Sequence, residues 1–298
     1  MRRGQILRGV GGFYDVYLPE GGEVVRTVAR GRLRQKAQRP LAGDMVSVLE
    51  EKSDQGDVYG SIEEILPRKN AFVRPPVANV DQVMIVASLT EPRPDPLLID
   101  RLLLIAGIAG VDAAVCFNKC EDVDEEYLKS WTDQYRAVDT IVASAHEALG
   151  LDALSARLEG RITCMAGQSG VGKTSLINAL SPQLDLEVGD LSKKIGRGKH
   201  TTRHAELLPL PCGGYIVDTP GFSMLETENI DPLEIKDHYP EFEHYDGDCR
   251  FGYDCLHISE PGCAVKHAAQ RSEISNERLA RYAVLVAEAR EKMRGQYD

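Results

Sequence analysis

No stretch of this 298-residue sequence has the ~18–20 uninterrupted apolar residues that a membrane-spanning helix requires. The longest apolar segment, residues 96–111, is interrupted by Asp100 and Arg101. The amino-terminal residues also lack the apolar run of a signal peptide. These absences argue against a membrane protein and favour a cytoplasmic location. There the seven cysteines are expected to be thiols or metal ligands rather than disulfides.

The charge of the chain is unevenly distributed. The formal net charge of −11 disfavours nucleic-acid binding by the chain as a whole. In residues 1–39, however, nine basic side chains outnumber three acidic ones. Four of the basic residues lie on one segment: Arg30, Arg32, Arg34 and Lys36. This end of the chain suits contact with RNA phosphates, and a solvated face of a small barrel explains the charge equally well.

The chain divides into three regions of different pattern, which together predict a multi-domain α/β protein. Residues 1–70 contain short strands separated by glycine-rich turns and predict an OB-type β-barrel. Residues 71–226 alternate strands with helices and predict a parallel α/β sheet. Residues 227–298 are rich in Asp, Glu, His and Cys, and end in a helical stretch at 274–293. The predicted strands are 4–10, 13–18, 24–30, 44–50, 60–66, 82–88, 112–117, 140–144, 161–166 and 215–217, and the other helices are 96–107, 125–137 and 172–180.

Residues 167–174, GQSGVGKT, fit the phosphate-loop pattern GxxxxGK[ST] between a predicted strand and a predicted helix. The glycines allow the backbone N–H groups to surround an anion, and the helix amino terminus adds its positive dipole. Lys173 is predicted to reach the β- and γ-phosphates as a catalytic group, and the Thr174 hydroxyl to bind Mg²⁺. The nucleotide contacts predicted for this segment are Gly167, Gln168, Ser169, Gly170, Val171, Gly172, Lys173, Thr174 and Ser175.

Two further segments suit the γ-phosphate and its metal ion. Asp218 opens the sequence DTPG after an apolar strand, so its carboxylate is predicted to hold Mg²⁺ and the Gly221 N–H to meet the γ-phosphate. The basic, glycine-containing segment 195–203 suits a switch that closes on the nucleotide. Either Thr201 or Thr202 can supply its metal contact, and Thr202 is slightly preferred.

A guanine-reading motif precedes the phosphate loop in the chain. Asn118, Lys119 and Glu121 follow a predicted strand, in the arrangement in which a carboxylate accepts the guanine N1–H and N2–H together. Ser144 and Ala145 suit the backbone contact to guanine O6. Because an ordinary GTPase has the phosphate motifs first, this order predicts a circularly permuted P-loop GTPase domain. Joining and recutting the ends of a compact domain preserves its sheet.

The carboxy-terminal region contains a candidate zinc site. Cys249, Cys255, His257 and Cys263 supply three thiolates and one imidazole within fifteen positions, which suits one closed structural zinc site. His244 and His267 are alternative fourth ligands. A zinc enzyme is not expected, because four protein ligands leave no open position. The remaining cysteines, Cys116, Cys120, Cys164 and Cys212, are predicted to be small buried residues.

These motifs together resemble the ribosome small-subunit-dependent GTPase A family, RsgA, also called YjeQ. The resemblance covers nearly the full chain and includes residues 78–82 (ANVDQ), 118–121 (NKCE), the phosphate loop, DTPG and the EPGC run at 260–263. It implies an OB domain, a permuted GTPase domain and a zinc domain. It also implies binding to the small ribosomal subunit during late maturation, with GTP hydrolysis stimulated by that subunit. Glu121 stands where the family usually has aspartate. We further expect a monomer that uses Mg²⁺ with GTP and contacts rRNA.

One element of the reaction is missing from the sequence. Ras-like enzymes orient water with a glutamine directly after DxxG, and this chain has Phe222 there. GTP hydrolysis by the chain without a partner should therefore be slow. His200 is the candidate within the chain for positioning the attacking water. Two alternatives stay open. The first is a nucleotide-gated binding module whose hydrolysis is incidental, and the second is an ATPase, if Glu121 does not select guanine.

Overall fold

The computed structural model describes residues 1–30, 39–52, 58–73, 76–186, 205–218 and 230–294. The chain divides into two compact units, each made of several segments. The first contains Met1–Val83, Asp152–Met165 and Lys173–Met224, and the second contains Met84–Leu151, Ala166–Gly172 and Leu225–Asp298. The three domains expected at 1–70, 71–226 and 227–298 remain predictions.

The amino-terminal part of the first unit is a closed five-stranded barrel, as predicted. Its strands are β1 (Arg2–Val10), β2 (Phe13–Leu18), β3 (Glu23–Ala29), β4 (Met45–Lys52) and β5 (Val58–Ile65). Strands β1, β2 and β3 pair antiparallel, β3 pairs parallel with β5, β5 pairs antiparallel with β4, and β4 returns to β1. The alternation of apolar and polar residues along the strands fills the interior, where Ile6, Val16, Leu18, Val46, Val48 and Ile62 are fully buried.

A segment after the barrel connects it to the sheet of the same unit. The short strands β6 (Ala71–Val73) and β7 (Pro76–Ala78) form a separate antiparallel pair. The buried side chain of Asn79 then donates to the barrel carbonyl of Gly43 at 2.9 Å. Asp81 accepts a hydrogen bond from Ile162 N at 2.9 Å, and Gln82 donates to Thr163 Oγ1 at 2.9 Å. The motif ANVDQ therefore connects the barrel with the strand that leads to the phosphate loop.

The sheet of the first unit contains β11 (Ile162–Ala166), β12 (Glu206–Pro209) and β13 (Tyr215–Asp218). Strand β11 pairs parallel with β13, as expected of the predicted parallel sheet, whereas β12, a strand that the sequence did not predict, pairs antiparallel with β13. The reason is local: a short turn containing Gly213 joins β12 to β13, and such a hairpin can only produce an antiparallel pair. Helices α3 (Leu151–Leu158) and α4 (Lys173–Leu180) precede and follow β11, and the sequence had not predicted α3 or β12.

The second unit contains β9 (Asp112–Asn118), β10 (Asp139–Val142), α1 (Pro96–Ile108), α2 (Glu125–Gln134) and, from Met84 onward, β8 (Gln82–Ser88). Every residue of β8 is buried, and β9 pairs parallel with β10. Asp95 and Asp124 cap the two helices by accepting from the backbone N–H groups of Leu98 and Tyr127. The helices therefore begin at or next to the predicted residues.

The carboxy-terminal part of the second unit consists of short 3₁₀ turns followed by α5 (Ala264–Gln270) and α6 (Asn276–Arg294). The turns are Glu234–His238, Pro240–Phe242, Asp246–Asp248 and Gly252–Asp254. Phe242 and Tyr282 pack edge to face with ring centroids 5.0 Å apart, in a core that also includes Leu104 of α1. Among the described residues, no helix is long and apolar enough to cross a membrane.

Candidate functional site

The phosphate loop follows directly from β11 and leads directly into α4. Gly167, Gly170 and Gly172 have φ values of +126°, +84° and +97°, which L side chains rarely adopt. Space excludes side chains as well. A Cβ at Gly167 would lie 2.1 Å from Val86 O, and a Cβ at Gly172 would lie 2.2 Å from Asn118 Nδ2. Backbone conformation therefore favours glycine at all three positions, and packing also requires it at Gly167 and Gly172.

Lys173 and Thr174 occupy the first turn of α4, where backbone N–H groups and the helix dipole favour an anion. Burial lowers the pKa of the Lys173 ammonium group to about 8, because the charged form loses solvation. A polyphosphate beside this lysine would oppose that shift, because nearby negative charge favours the ammonium form. The Thr174 side chain is buried, and Gln168, Ser169 and Ser175 lie on the same loop and helix.

Asn118 joins the base-reading segment to the phosphate loop. It ends β9, is 1% exposed, and its Nδ2 donates to Val171 O at 2.9 Å. Its Oδ1 accepts from Ala145 N at 3.3 Å. A single buried amide therefore contacts both the loop predicted to hold phosphate and the loop predicted to hold guanine. The close approach explains why position 172 tolerates only glycine.

Lys119 strengthens the same connection from the exposed side. Its backbone is left-handed at φ +63°, and its Nζ donates to Gly170 O at 3.2 Å and to Glu91 O. The Pro92 ring lies against Gly170, so the segment after β8 also supports the phosphate loop. The sequence predicted a nucleotide role for Lys119, but not the contribution of residues 91 and 92. That contribution has no sequence signature.

Glu121 and Ser144 lie on the base-reading loops. Glu121 belongs to a 3₁₀ turn, and its Oε2 is buried without a hydrogen-bond partner in the described part of the chain. A buried unpaired carboxylate oxygen is costly, and a ligand carrying N–H groups would satisfy it. The Ser144 Oγ accepts from Glu147 N at 2.9 Å. Ala145 N already donates to Asn118, so a guanine O6 would share that donor.

Several predicted residues cannot be compared with the structure. His200, Thr201, Thr202 and Gly221 lie outside the described residues. Asp218 ends β13, as the motif predicts, and its backbone is the described part of that residue.

The four predicted metal ligands come together in one buried cluster. Their ligand atoms all lie within 4.8 Å of one another. The His257 Nδ1 is 3.6 Å from Cys249 Sγ and 3.3 Å from Cys263 Sγ, and the two sulfurs are 3.9 Å apart. The fourth ligand, Cys255, is fully buried. His244 and His267, the alternative ligands, are exposed and lie outside this cluster.

The surroundings of the cluster suit thiolates bound to a cation. Burial raises the pKa of the Cys255 thiol to about 12 and also raises that of Cys263, so thiolates there need a nearby positive charge. Burial lowers the pKa of His257, which favours the neutral form that binds metals. The backbone N–H groups of Ala264 and Lys266 point to Cys249 Sγ and Cys263 Sγ at 3.3 and 3.4 Å. The four residues therefore form a Cys₃His cluster that could bind a metal ion.

The other cysteines follow the prediction in part. Cys116 and Cys164 are buried, and burial raises the pKa of each thiol to about 12. Cys120 and Cys212 are only partly buried, so the expectation that they are core residues was wrong. Both follow the ends of strands, where the chain leaves the core.

The barrel carries less free positive charge than its sequence suggests. Arg30, expected to contact RNA, forms an ion pair with Glu63 at 2.7 Å. Arg8 pairs with Asp15 at 2.6 Å, and Arg2 pairs with Glu23 at 2.7 Å. Arg32, Arg34 and Lys36 lie outside the described residues. The described part of the basic end is thus partly neutralised by its own carboxylates.

Comparisons with known proteins identify the family of the chain. The RsgA GTPase family matches residues 65–228, and the RsgA N-terminal domain matches residues 3–58. Proteins named small ribosomal subunit biogenesis GTPase RsgA match over nearly their whole length. The one from Alkaliphilus metalliredigens is 39% identical over 99% of this chain and 100% of its own, and the one from Ruminiclostridium cellulolyticum is 43% identical over 96% and 93%.

Two solved structures have the same fold over nearly the whole chain. The crystal structure of YjeQ from Thermotoga maritima matches with a TM-score of 0.81 and 34% identity, covering 97% of this chain and 98% of that one. YloQ, described as a circularly permuted GTPase, matches with a TM-score of 0.79 and 30% identity, covering 98% and 96%. Sequence, motif order and fold agree, and the chain therefore belongs to the RsgA GTPase family.

Proposed function

We propose that this chain binds GTP, hydrolyses it to GDP and phosphate, and acts in small ribosomal subunit biogenesis with turnover stimulated by the subunit. The main support for nucleotide binding is the pair of hydrogen bonds by which the buried Asn118 amide connects the base-reading loop to the phosphate loop. The relatives named small ribosomal subunit biogenesis GTPase RsgA support the biological assignment.

Different residues are proposed to bind the phosphates and the guanine base. The backbone N–H groups of residues 167–175 would hold the phosphates, and Lys173 would neutralise charge on the transferring phosphoryl group. The unpaired Glu121 oxygen would accept guanine N–H groups, which selects GTP over ATP. Ser144 and Ala145 would border the base at O6. Glutamate has one more methylene than the aspartate usual in the family, and its carboxylate keeps the same acceptors.

Mg²⁺ is proposed to bind through the Thr174 hydroxyl, with Thr202 and Asp218 as its other protein contacts. When bound with GTP, it supplies positive charge to the β- and γ-phosphate oxygens. From the DTPG motif, the Gly221 N–H is proposed to meet the same phosphate. The oxygen donors in this set are those that Mg²⁺ prefers.

The Cys₃His cluster is proposed to hold one structural zinc ion. Three thiolates and one imidazole form a closed tetrahedral donor set, and a zinc ion in such a set contributes to folding rather than to chemistry. The cluster belongs to the core that includes Leu104 of α1, so the ion would also support that helix. Zinc content measured on the purified chain tests this assignment, with one equivalent expected.

We further propose that the protein acts as a monomer in the cytoplasm, where bacterial ribosomes assemble, and contacts small-subunit rRNA. Arg26, which lies over the Phe13 ring at 4.7 Å, is an exposed candidate for this contact on the described part of the barrel. Arginine stacked on an exposed aromatic ring suits contact with phosphates and bases.

The decisive experiment measures phosphate release from GTP and from ATP, with and without purified small ribosomal subunits. Release from GTP that rises strongly with subunits is expected. Unchanged release would favour a nucleotide-gated binding module, whose hydrolysis is incidental. Equal use of ATP would favour the ATPase alternative and remove Glu121 as the selecting residue.

His200 is proposed to position the attacking water, because Phe222 follows DTPG where Ras-like enzymes have glutamine. His200→Ala should lower subunit-stimulated turnover while leaving GTP affinity within a few-fold of the wild type. Full stimulated turnover in this variant would show that another group, in the chain or on the subunit, positions the water.

A further inference from the structure

Two charged residues lie behind the Cys₃His cluster. Asp246 Oδ1 is 2.8 Å from His257 Nε2 and 3.0 Å from Lys236 Nζ. The side chains of His257 and Lys236 are 0% and 6% exposed, and that of Asp246 is 13% exposed. Charged residues are rarely buried to this extent unless they are paired. Neither distance follows from the ligand motif itself, because Lys236 and Asp246 lie outside it.

We propose that Asp246 and Lys236 are positioning residues of the metal site. Asp246 orients His257 so that Nδ1 binds the ion, and Lys236 balances the charge of the Asp246 carboxylate. This inference rests on the proposed zinc site and extends it from its four ligands to the residues that set their orientation and affinity.

The geometry assigns a different task to each nitrogen of His257. Nδ1 faces the cluster, at 3.6 Å from Cys249 Sγ and 3.3 Å from Cys263 Sγ. Nε2 is buried and lies 2.8 Å from Asp246 Oδ1, and it makes no hydrogen bond of ordinary geometry within the described residues. Metal-binding histidines commonly give their second N–H to a carboxylate, which fixes the ring and strengthens it as a donor.

The charges explain why a lysine accompanies the aspartate. Zn²⁺ with three thiolates and a neutral imidazole has a net charge of about −1. A carboxylate beside such a centre is repelled unless a cation compensates for it. Lys236 supplies that cation, and it is held from a second side by Tyr253 O. The 3₁₀ turn that carries it, Glu234–His238, is thereby connected to the ligand loop.

The competing interpretation is an ordinary buried ion pair that stabilises the domain without acting on the metal. The two interpretations differ in what they predict for zinc. A structural ion pair would alter unfolding and leave zinc release from the folded protein unchanged. A pair that positions His257 would alter zinc release even where unfolding is hardly affected.

The test uses the full zinc-loaded chain and measures the rate of zinc transfer to a coloured chelator, with cobalt(II) absorption as a second readout. Asp246→Asn should weaken zinc binding about 10- to 100-fold. Lys236→Met should also weaken it, because it leaves the carboxylate uncompensated, whereas Lys236→Arg should restore wild-type release. In the double variant Asp246→Asn with Lys236→Met, the loss should be smaller than the product of the single losses.

Asp248→Asn is the matched control, because Asp248 is exposed in the same 3₁₀ turn. It should behave as the wild type. If Asp246→Asn does not fold, the comparison of Lys236→Met with Lys236→Arg decides the question alone. Zinc release from Asp246→Asn or Lys236→Met equal to that of the control overturns the inference. A wild-type chain without zinc would instead refute the metal site on which the inference rests.

Discussion

Replacing Asn118 by alanine tests whether one buried amide holds the two halves of the nucleotide site together. The substitution removes the 2.9 Å bond to Val171 O and the 3.3 Å bond from Ala145 N. It leaves the buried Val171 carbonyl and the partly buried Ala145 N–H group without these partners. Losing a buried partner costs about 1–3 kcal/mol for the shorter bond, and the longer one adds about 1 kcal/mol.

A loss of about 2–4 kcal/mol in the bound geometry corresponds to a roughly 30- to 700-fold weaker affinity for GTP. Titration of a fluorescent GTP analogue measures it, with GDP as a second ligand expected to lose a similar factor. The affinities for GTP and GDP should both fall, because the Asn118 amide positions both loops through contacts with their backbones. Turnover at saturating GTP should also fall, because the phosphate loop would be less well ordered around the phosphoryl group.

Asn70→Ala is the control for general destabilisation. Asn70 makes the same kind of pair, donating to Val80 O at 2.8 Å and accepting from Val80 N at 2.9 Å, in the segment that follows the barrel. Its loss should lower the free energy of unfolding to a similar extent and leave GTP affinity nearly unchanged. If Asn118→Ala binds GTP within threefold of the wild type, the amide does not hold the site together and the reasoning is wrong.

Three further predictions concern the same site. Glu121→Ala should weaken GTP binding about 10- to 100-fold, from the loss of charged hydrogen bonds, and leave ATP binding unchanged in parallel titrations, with Asp122→Ala as the control. Gly172→Ala should abolish GTP binding in the same assay, because its Cβ would lie 2.2 Å from the buried amide of Asn118. Gly160→Ala is the control, because its Cβ would meet nothing within 4 Å, and it should lower the free energy of unfolding without changing GTP affinity. Burial lowers the pKa of Lys173 in the folded chain to about 8, below its value of 10.5 in the unfolded chain. Between these two pH values the unfolded chain therefore binds more protons than the folded chain. The contribution of Lys173 to the free energy of unfolding accordingly rises from about pH 8 to 10.5. GTP should reverse the shift, so calorimetry near pH 8.5 in buffers of different ionisation enthalpy should detect proton uptake on binding, and Lys173→Met should abolish it.

The sequence identified the parts of the site that consist of contiguous residues. The phosphate loop was predictable because glycine spacing, lysine and the following helix all act within eight positions, and the structure gives each glycine a positive φ or a close contact that demands it. The helix caps at Asp95 and Asp124 were similarly local. The barrel was predictable because short alternating strands between glycine turns leave few arrangements.

The sequence failed where a partner distant in the chain decides the outcome. Arg30 forms an ion pair with Glu63, more than thirty positions away, which the sequence did not reveal, and its contact with RNA stays a prediction. The support that Glu91 O gives to Lys119 is equally invisible, because any residue can present a carbonyl. Strand β12 was missed because four residues, ELLP, carry too little periodicity to identify a strand.

The Cys₃His cluster shows both what the sequence could predict and what it could not. The candidate ligands were predictable because only a few residue types bind zinc and four such residues lie within fifteen positions. The sequence favoured His257 and kept His244 and His267 as alternatives. The structure places His257, which is 1% exposed, with the three cysteines, whereas the alternatives are exposed and lie outside the cluster. Asp246 and Lys236 carry no motif at all, since acidic and basic residues are common throughout this region. We therefore expect that a position that looks like ordinary surface charge in the sequence determines how firmly a metal ligand is held, and the zinc affinity of variants at Asp246 and Lys236 measures this role.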